Sequence, residues 1–325
     1  MIVTVTPNPS IDRTVTLPSP LTRGAVHRVT SVTNQAGGKG VNVAKVLTMA
    51  GVDALAVLPA AVNDPLLTAL ANAAVPYQIV TTDQPARTNL TITEQDGTTT
   101  KINEPGAMID GATLTTFTDV VIEAAADADW VVMSGSLPPG MPASWYADVV
   151  ARLSSRPCRV AVDTSDAPLA ALMGSLDRGA PDLVKPNAEE LASVLNLSSE
   201  ALEDAVAQGD PTPVVAAARQ LIDRGVGAVL ATLGAAGAVL VDGNGAWMAS
   251  PPPITPRSTV GAGDSSLAGY VRAEVGGAVP PQRLQMAVAY GSAAAALPGT
   301  TLPSPAEIDL NAVAVSPISP IPATQ

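Results

Sequence analysis

Hydrophobic and polar positions follow two rhythms along this chain. The β-branched run Ile2-Val3-Thr4-Val5-Thr6, cut off by Pro7-Asn8-Pro9, predicts a buried first strand and a turn. The stretch 15–33 is rich in Thr, Val and Pro and alternates with period two, so strands of a small sheet are expected there. Segments 88–93 and 98–103 flank Gln95-Asp96-Gly97, and Asp-Gly between Thr-rich runs is a hairpin signal. These two regions interrupt an otherwise alternating pattern and could pair into one accessory sheet.

Elsewhere apolar runs of strand length exchange with helical periodicity. Strands are predicted at 54–58, 130–133, 160–162, 183–184 and 228–233. Helices are predicted at 41–50 (closed by Gly51 just past its end), 65–74, 144–153, from 168, and at 188–195, 214–224, 264–275 and 282–297. Repeated β-α order requires right-handed crossovers and a mostly parallel sheet covered on both faces. The fold class is therefore α/β in three layers with a small β accessory sheet. No repeat and no strong linker divides the chain. The expectation is one domain over 1–311, with accessory segments at about 13–34 and 87–104. Beyond it, 312–325 has Pro and no charge and is expected to be a loose tail.

Composition narrows the chemistry. The chain has 325 residues and a formal net charge of −12, which disfavours a nucleic-acid partner. One Cys excludes an internal disulfide, and one His, His27, removes multi-His metal sites and disfavours a Ser-His-Asp triad. No apolar run reaches membrane-spanning length, and residues 1–9 lack a signal-peptide pattern, so a cytoplasmic location is expected.

The sharpest chemical feature is Ser258-Thr259-Val260-Gly261-Ala262-Gly263-Asp264-Ser265. Glycines at a helix start leave backbone amides free to face an anion, and the helix dipole favours negative charge there. Asp264 would repel a phosphate unless it faces the attacking hydroxyl and accepts its proton. Its plain reading is an N-cap. Gly37-Gly38-Lys39-Gly40-Val41-Asn42 is a second glycine-rich helix start, suited to a polyhydroxylated or phosphorylated small molecule, or simply a capped helix. It is not a G-x-x-x-x-G-K-[ST] loop, and the G-x-G-x-x-G fingerprint of dinucleotide binding is missing.

Asn187 and Glu190, three apart at a helix start, suit Mg²⁺ held partly through water, or a capping box. Thr232-Leu233-Gly234-Ala235-Ala236-Gly237 and Ser134-Gly135-Ser136 are turns after strands, where parallel sheets place ligands. Asp12 could hold sugar hydroxyls or belong to a turn. Arg28, Lys39, Arg87 and Lys101 are the candidate cations for an anionic substrate. Cys158 receives no role.

Taken together, and in order, GGKGVN, ARTN, INEPG, SGSLPPG, VKPNAEE, TLGAAG and STVGAGDS resemble the ribokinase-like sugar kinases of the phosphofructokinase B branch. The resemblance covers most of the chain. It implies an α/β/α core with a β lid, ATP and Mg²⁺ as cofactors, a sugar phosphate as substrate, and a homodimer through the lid. The closeness of TPNPSIDRTV, GGKGVNVAKVL and VKPNAEEL points to members that convert fructose 1-phosphate to fructose 1,6-bisphosphate. Tagatose 6-phosphate and fructose 6-phosphate are alternative acceptors. Kinases of fructose 6-phosphate tend to carry Lys two positions before the Arg matched by Arg28, and Val26 stands there. A catalytically silent sugar-phosphate sensor is the alternative of another class, against which Asp264 argues.

The resemblance also implies roles. Asp264 is the base, within an anion hole of Gly261, Ala262 and Gly263. Asp12, Arg28, Gly38, Lys39, Asn42, Arg87, Asn89 and Ser136 bind the sugar phosphate. Lys185, Asn187, Thr232, Gly234, Gly237, Ser258, Val260, Gly291 and Ser292 line ATP, and Asn187 and Glu190 position the metal through water.

Overall fold

The computed structural model describes residues 1–318. Its first half runs β1 (Ile2–Val5), β2 (Ser10–Thr16), β3 (Ser31–Gly37), α1 (Lys39–Met49), β4 (Ala54–Ala60), α2 (Pro65–Asn72), β5 (Tyr77–Thr81), β6 (Arg87–Thr93), β7 (Thr99–Asn103), α3 (Gly111–Ala124), β8 (Trp130–Ser134) and α4 (Trp145–Leu153). The second half runs β9 (Arg159–Asp163), α5 (Asp166–Met173), β10 (Leu183–Val184), α6 (Ala188–Leu195), α7 (Ser199–Ala207), α8 (Thr212–Ile222), β11 (Ala228–Thr232), β12 (Ala238–Asp242), β13 (Gly245–Ser250), α9 (Ala262–Val275), α10 (Pro280–Ala296) and β14 (Ala314–Pro317).

The large sheet has ten strands in the order β14-β13-β12-β11-β10-β9-β8-β1-β4-β5. From β11 to β5 every pairing is parallel. Both faces are covered, so its strands read as continuous apolar runs. On one face Val3, Val5, Val131 and Met133 pack with Phe117, Trp145, Leu172, Leu191 and Leu221 from α3, α4, α5, α6 and α8. On the other, Ile2, Val132, Leu230 and Leu240 pack with Leu47, Leu267, Val271 and Tyr290 from α1, α9 and α10. Period-two alternation of β1 and β8 thus sends successive side chains into different cores.

The antiparallel edge β12-β13-β14 was not legible as part of a βα repeat. Asp242 turns β12 into β13 by accepting the amides of Asn244 at 2.7 Å and Gly245 at 3.1 Å. The expected loose tail is corrected in part. Ala314–Pro317 pairs with β13, Met248 opposite Ser316, because β13 would otherwise present an open ladder. Residues 319–325 of that expected tail lie outside the described residues.

The second sheet has the order β3-β2-β6-β7. β2 pairs antiparallel with β3 and parallel with β6, and β6–β7 is the hairpin expected around Asp96-Gly97. β2 begins at Ser10, directly after the first turn, so Asp12 is a strand residue rather than a turn residue. The register separates two faces. Ser10, Asp12, Thr14, Asn89, Thr91, Lys101 and Asn103 lie on a polar one, and Val15, Val32, Leu90, Ile92 and Ile102 on an apolar one. Val32 and Ile102 on that apolar face are 42% and 55% exposed, which is unusual for side chains of this size in a folded sheet.

Candidate active site

The carboxyl ends of the parallel strands set the site's layout. Thr232 ends β11, Lys185 follows β10, Asp163 ends β9, Ser134-Gly135 ends β8, and Thr6 follows β1. Adjacent strands lie about 4.8 Å apart, so these residues form one row across the top of the sheet. The small sheet rises beside the β1 end of that row, through the link from Thr6 to Ser10.

Two helices point their N-termini at this row. Gly261, at φ 77°, caps α9 in a left-handed conformation that suits glycine. Ser258 prepares the turn by accepting the amide of Val260 at 3.2 Å. The first-turn amides of Gly263 and Asp264 precede any regular intrahelical acceptor and so form an anion-binding end, joined by Ala262 N, which makes only a long 3.4 Å bond to Thr259 O. A side chain at Gly263 would put its Cβ 3.2 Å from Lys185 Nζ, so the ammonium lies directly against this turn. Gly291 of α10 sits against the same turn, 3.3 Å from Ala262 O when a Cβ is added. Its smallness lets α10 close on α9. The second helix, α1, starts at Lys39 after Gly38, whose φ is 105°.

Asp264 is 6% exposed, and its Oδ2 accepts a 2.8 Å hydrogen bond from Asn42 Nδ2. Burial, and then the negative charge of Asp163, push its carboxyl up to about 6, against the opposing pull of Asn42, Lys39 and Lys185. A carboxylate poised there is matched to accepting a proton near neutral pH.

Asp163 was not foreseen from the sequence. It is 1% exposed, with Oδ1 3.2 Å from Lys39 Nζ and Oδ2 3.3 Å from Lys185 Nζ. Burial alone would raise its carboxyl, but Lys185 and Lys39 outweigh that and hold it below the usual carboxylate value. Lys39 is itself held up despite burial, by Asp163, Asp264 and Glu190. The signal that could have found Asp163 was an acid ending the apolar run Val160-Ala161-Val162, at the carboxyl end of a parallel strand.

On the lid side, Asp12 Oδ1 accepts from Ser10 Oγ at 2.8 Å and from Asn89 Nδ2 at 3.1 Å. Its carboxyl fills the space beside Gly37 where a Cβ would fall, at 2.3 Å, so it abuts the glycine loop. Arg87 donates from Nη1 to Glu104 O at 3.0 Å and from Nη2 to Asn8 O at 3.3 Å, which pins the base of β6 to the first turn. Asn8, also unforeseen, donates to Ser136 Oγ at 3.2 Å and to Pro105 O at 3.1 Å. Tyr146 Oη and Thr164 Oγ1 both donate to Gly135 O, fixing the turn that carries Ser136.

At the β10–β11 end of the row, Asn187 and Glu190 form a reciprocal capping box on α6. Asn187 Oδ1 accepts from Glu190 N at 2.7 Å, and Glu190 Oε2 accepts from Asn187 N at 2.9 Å. Thr232 N donates to Pro186 O at 3.0 Å, tying the Thr232–Gly237 turn, with Gly234, to the same corner. Ser292 lies in α10 next to Gly291, behind the anion turn.

Arg28 is the one expected site residue set apart. It is exposed in the loop between β2 and β3, beyond the Thr16–Ser31 pair that closes their register. That places it about 20 Å along the strands from the Ser10–Gly37 end beside the glycine loop. Lys101 shares the polar face with Asp12 and Asn89. No group of three or more His, Cys, Asp or Glu side chains is placed to hold a metal among the described residues. Among them, too, no helix is long and apolar enough to cross a membrane.

Residues 5–307 match the pfkB family carbohydrate kinases. The chain belongs to that family. It is 38% identical over 274 residues to the 1-phosphofructokinase of Xanthomonas campestris pv. campestris, covering 83% of each chain. It is 37% identical to the 1-phosphofructokinase of Rhodobacter capsulatus, covering 94% of this chain and 93% of that one. Among solved structures it resembles phosphofructokinase-2 from Escherichia coli in complex with potassium, at 30% identity and a TM-score of 0.85, covering 94% and 96%. The pfkB kinase fold accounts for the α/β/α core and the separate small sheet.

Proposed function

We propose that this protein is an ATP-dependent kinase that phosphorylates fructose 1-phosphate to fructose 1,6-bisphosphate. The observation that carries the reading is Asp264, a buried carboxylate seated at the mouth of a helix N-terminus with a lysine ammonium beside it. A binding-only site for an anion gains nothing from such a carboxylate, whereas proton removal from an attacking hydroxyl requires one. The two 1-phosphofructokinase relatives support the acceptor.

The acceptor lies under the polar face of the small sheet. Asp12, Gly38 and Asn42 hold its hydroxyls, with Asn89 orienting Asp12 and Ser136 adding a contact. Arg87, with Lys101 on the same face, carries the positive charge for its phosphate, and Lys39 meets the reacting end. Asp264 accepts the proton as the hydroxyl attacks the γ-phosphoryl group, and the amides of Ala262–Asp264 take up charge on its equatorial oxygens. ATP occupies the Lys185–Thr232 side, along Asn187, Gly234, Gly237, Ser258 and Val260, with Gly291 and Ser292 behind the anion turn.

Magnesium fits this corner through water alone. Asn187 Oδ1 and Glu190 Oε2 are each bonded to an amide, which leaves the second oxygen of Glu190 to orient metal-bound water. A Mg²⁺ held there by Asn187 and Glu190 through water would supply positive charge to the phosphates. The apolar, exposed outer face of the lid around Val32 and Ile102 fits a second copy of the chain. A cytoplasmic homodimer is the working assembly, which sedimentation of an Ile102→Lys variant as a monomer would support.

The test is a panel of acceptors with ADP formation as readout: fructose 1-phosphate, tagatose 6-phosphate, fructose 6-phosphate and free fructose. Fructose 1-phosphate should give the highest kcat/KM. Preference for another phosphate ester would reassign the acceptor. Tight binding of phosphate esters without ADP would instead mark a sensor.

A further inference from the structure

Two lysines from opposite halves of the cleft meet on one buried carboxylate. Lys39 belongs to the glycine loop that opens α1 on the acceptor side. Lys185 follows β10 on the nucleotide side. Asp163, on the strand between them, lies within 3.3 Å of both, using a different oxygen for each. It is 1% exposed, and Lys185 is 6% exposed. Lys39 is the more open of the pair, at 39% of its side chain.

Charge alone makes this arrangement demanding. Two ammonium groups this close repel one another, and their partial burial strengthens the repulsion. A buried carboxylate between them is held only by their attraction. Each member therefore requires the others. The groups facing the cluster are Asp264 from α9 and Glu190 from α6, both acidic, Tyr146 from α4, whose hydroxyl burial and Asp163 keep protonated, and Asn42 from α1, neutral. Lys185 points at the anion turn, its Nζ 3.2 Å from where a Cβ on Gly263 would fall, and Lys39 is close enough to Asp264 to feel its charge.

We propose that Asp163 is a positioning residue that clamps Lys39 to Lys185, joining the acceptor loop to the nucleotide-side strand so that both ammonium groups converge on the transferring phosphoryl group. It touches neither substrate. It acts by holding two cations where charge develops, and by keeping the acceptor loop in register with the anion turn. The assignment deepens the kinase reading above and rests on it for the identity of the anion.

The experiment compares wild type, Asp163→Asn, Lys39→Gln and the double variant. Three readouts are needed: kcat and KM with fructose 1-phosphate and ATP, the Mg²⁺ concentration for half-maximal rate, and the titration of the Asp264 carboxyl carbon by NMR. Asp163→Asn should lower kcat about 10- to 100-fold, the scale of misplaced reacting groups, with each KM changed less than about threefold. In the NMR titration the two single variants should move Asp264 in opposite directions. Loss of the Asp163 charge moves its midpoint down, and loss of Lys39 moves it up. In the double variant the loss of kcat should be well below the product of the single losses, because the clamp is already broken.

Three results would overturn the proposal. One is a strictly multiplicative loss in the double variant. Another is an unchanged kcat. The third is a raised Mg²⁺ requirement with kcat restored by excess Mg²⁺, which would make Asp163 a metal-water ligand instead. If Asp163→Asn does not fold, Lys39→Gln alone still decides through kinetics, since an unchanged kcat would deny that Lys39 is held where charge develops. A wild type inactive on every sugar phosphate would end the kinase reading, while the NMR shifts would still report on the clamp.

Discussion

Asn42 Nδ2 reaches Asp264 Oδ2 at 2.8 Å across 222 positions of the chain. The bond ties the first turn of α1 to the first turn of α9, so the acceptor loop and the anion turn share one buried contact. It also fixes which carboxylate oxygen is free. With Oδ2 engaged by the amide, Oδ1 is left to face an incoming hydroxyl.

On the proposed mechanism, turnover depends on Asp264. Asp264→Asn should lower kcat by roughly 10²- to 10⁴-fold while KM changes little, the usual worth of a positioned base. In the wild type, kcat/KM should fall as pH drops through about 6, because the base is then protonated. Steady-state rates between pH 5 and 8 check both statements. Near-normal turnover by the variant would remove Asp264 from its role.

The same raised value has a consequence for stability. A carboxyl whose value is about 6 when folded and 3.8 when free binds its proton more tightly in the native state. Its contribution to stability is therefore fully present below about pH 3.8 and lost as pH rises through about 6. The loss is about 3 kcal/mol at most, from roughly two units at about 1.4 kcal/mol each. Asp264→Asn removes this penalty. Denaturant unfolding should show the variant gaining on wild type between pH 5 and 8. An equal difference at both ends would mean the carboxylate is not strained by its burial.

Arg87 does two jobs in one place. Its guanidinium pins Asn8 O and Glu104 O, and its Nε is buried without a protein partner, leaving a donor for a ligand. Arg87→Ala should raise the KM for the sugar phosphate about tenfold or more, the scale of a lost charge-assisted hydrogen bond, with a smaller effect on the KM for ATP. A rise confined to ATP would show that the lid does not cover the acceptor.

How far such a site is legible in sequence depends on where its signals sit. Local patterns carried most of it. Glycines flanking Lys39 and preceding Asp264 mark helix starts that admit anions, and Asp96-Gly97 marks the lid hairpin. The Asn187–Glu190 spacing forecast a shared corner, whose capping-box geometry the structure supplies. What was hidden is non-local. Asp163 ends an unremarkable apolar strand, and only the sheet order brings it between two lysines. Arg28, a substrate cation by the family resemblance, lies beyond the Thr16–Ser31 end of the β2–β3 hairpin, apart from the other candidates within one chain. The β12–β13 turn at Asp242-Gly243-Asn244-Gly245 carried a hairpin signal between two short apolar runs.

Gly263 offers the most discriminating single change. Its backbone is ordinary helix, so alanine is not strained there, and the atom a Cβ would meet is the tip of the long Lys185 side chain at 3.2 Å, which needs to give by only a few tenths of an ångström. Gly263→Ala should therefore fold with a stability within about 1 kcal/mol of wild type, alanine favouring the helix by a similar amount. Activity should respond differently. The methyl group displaces the ammonium from the anion turn and partly covers the amides that receive the phosphoryl oxygens. Loss of one such donor typically costs about 10²- to 10³-fold in kcat. Thermal unfolding alongside steady-state kinetics separates the two effects. A variant that is stable but slow places the phosphoryl group on this turn. A variant that is stable and fully active would place the transfer elsewhere in the cleft.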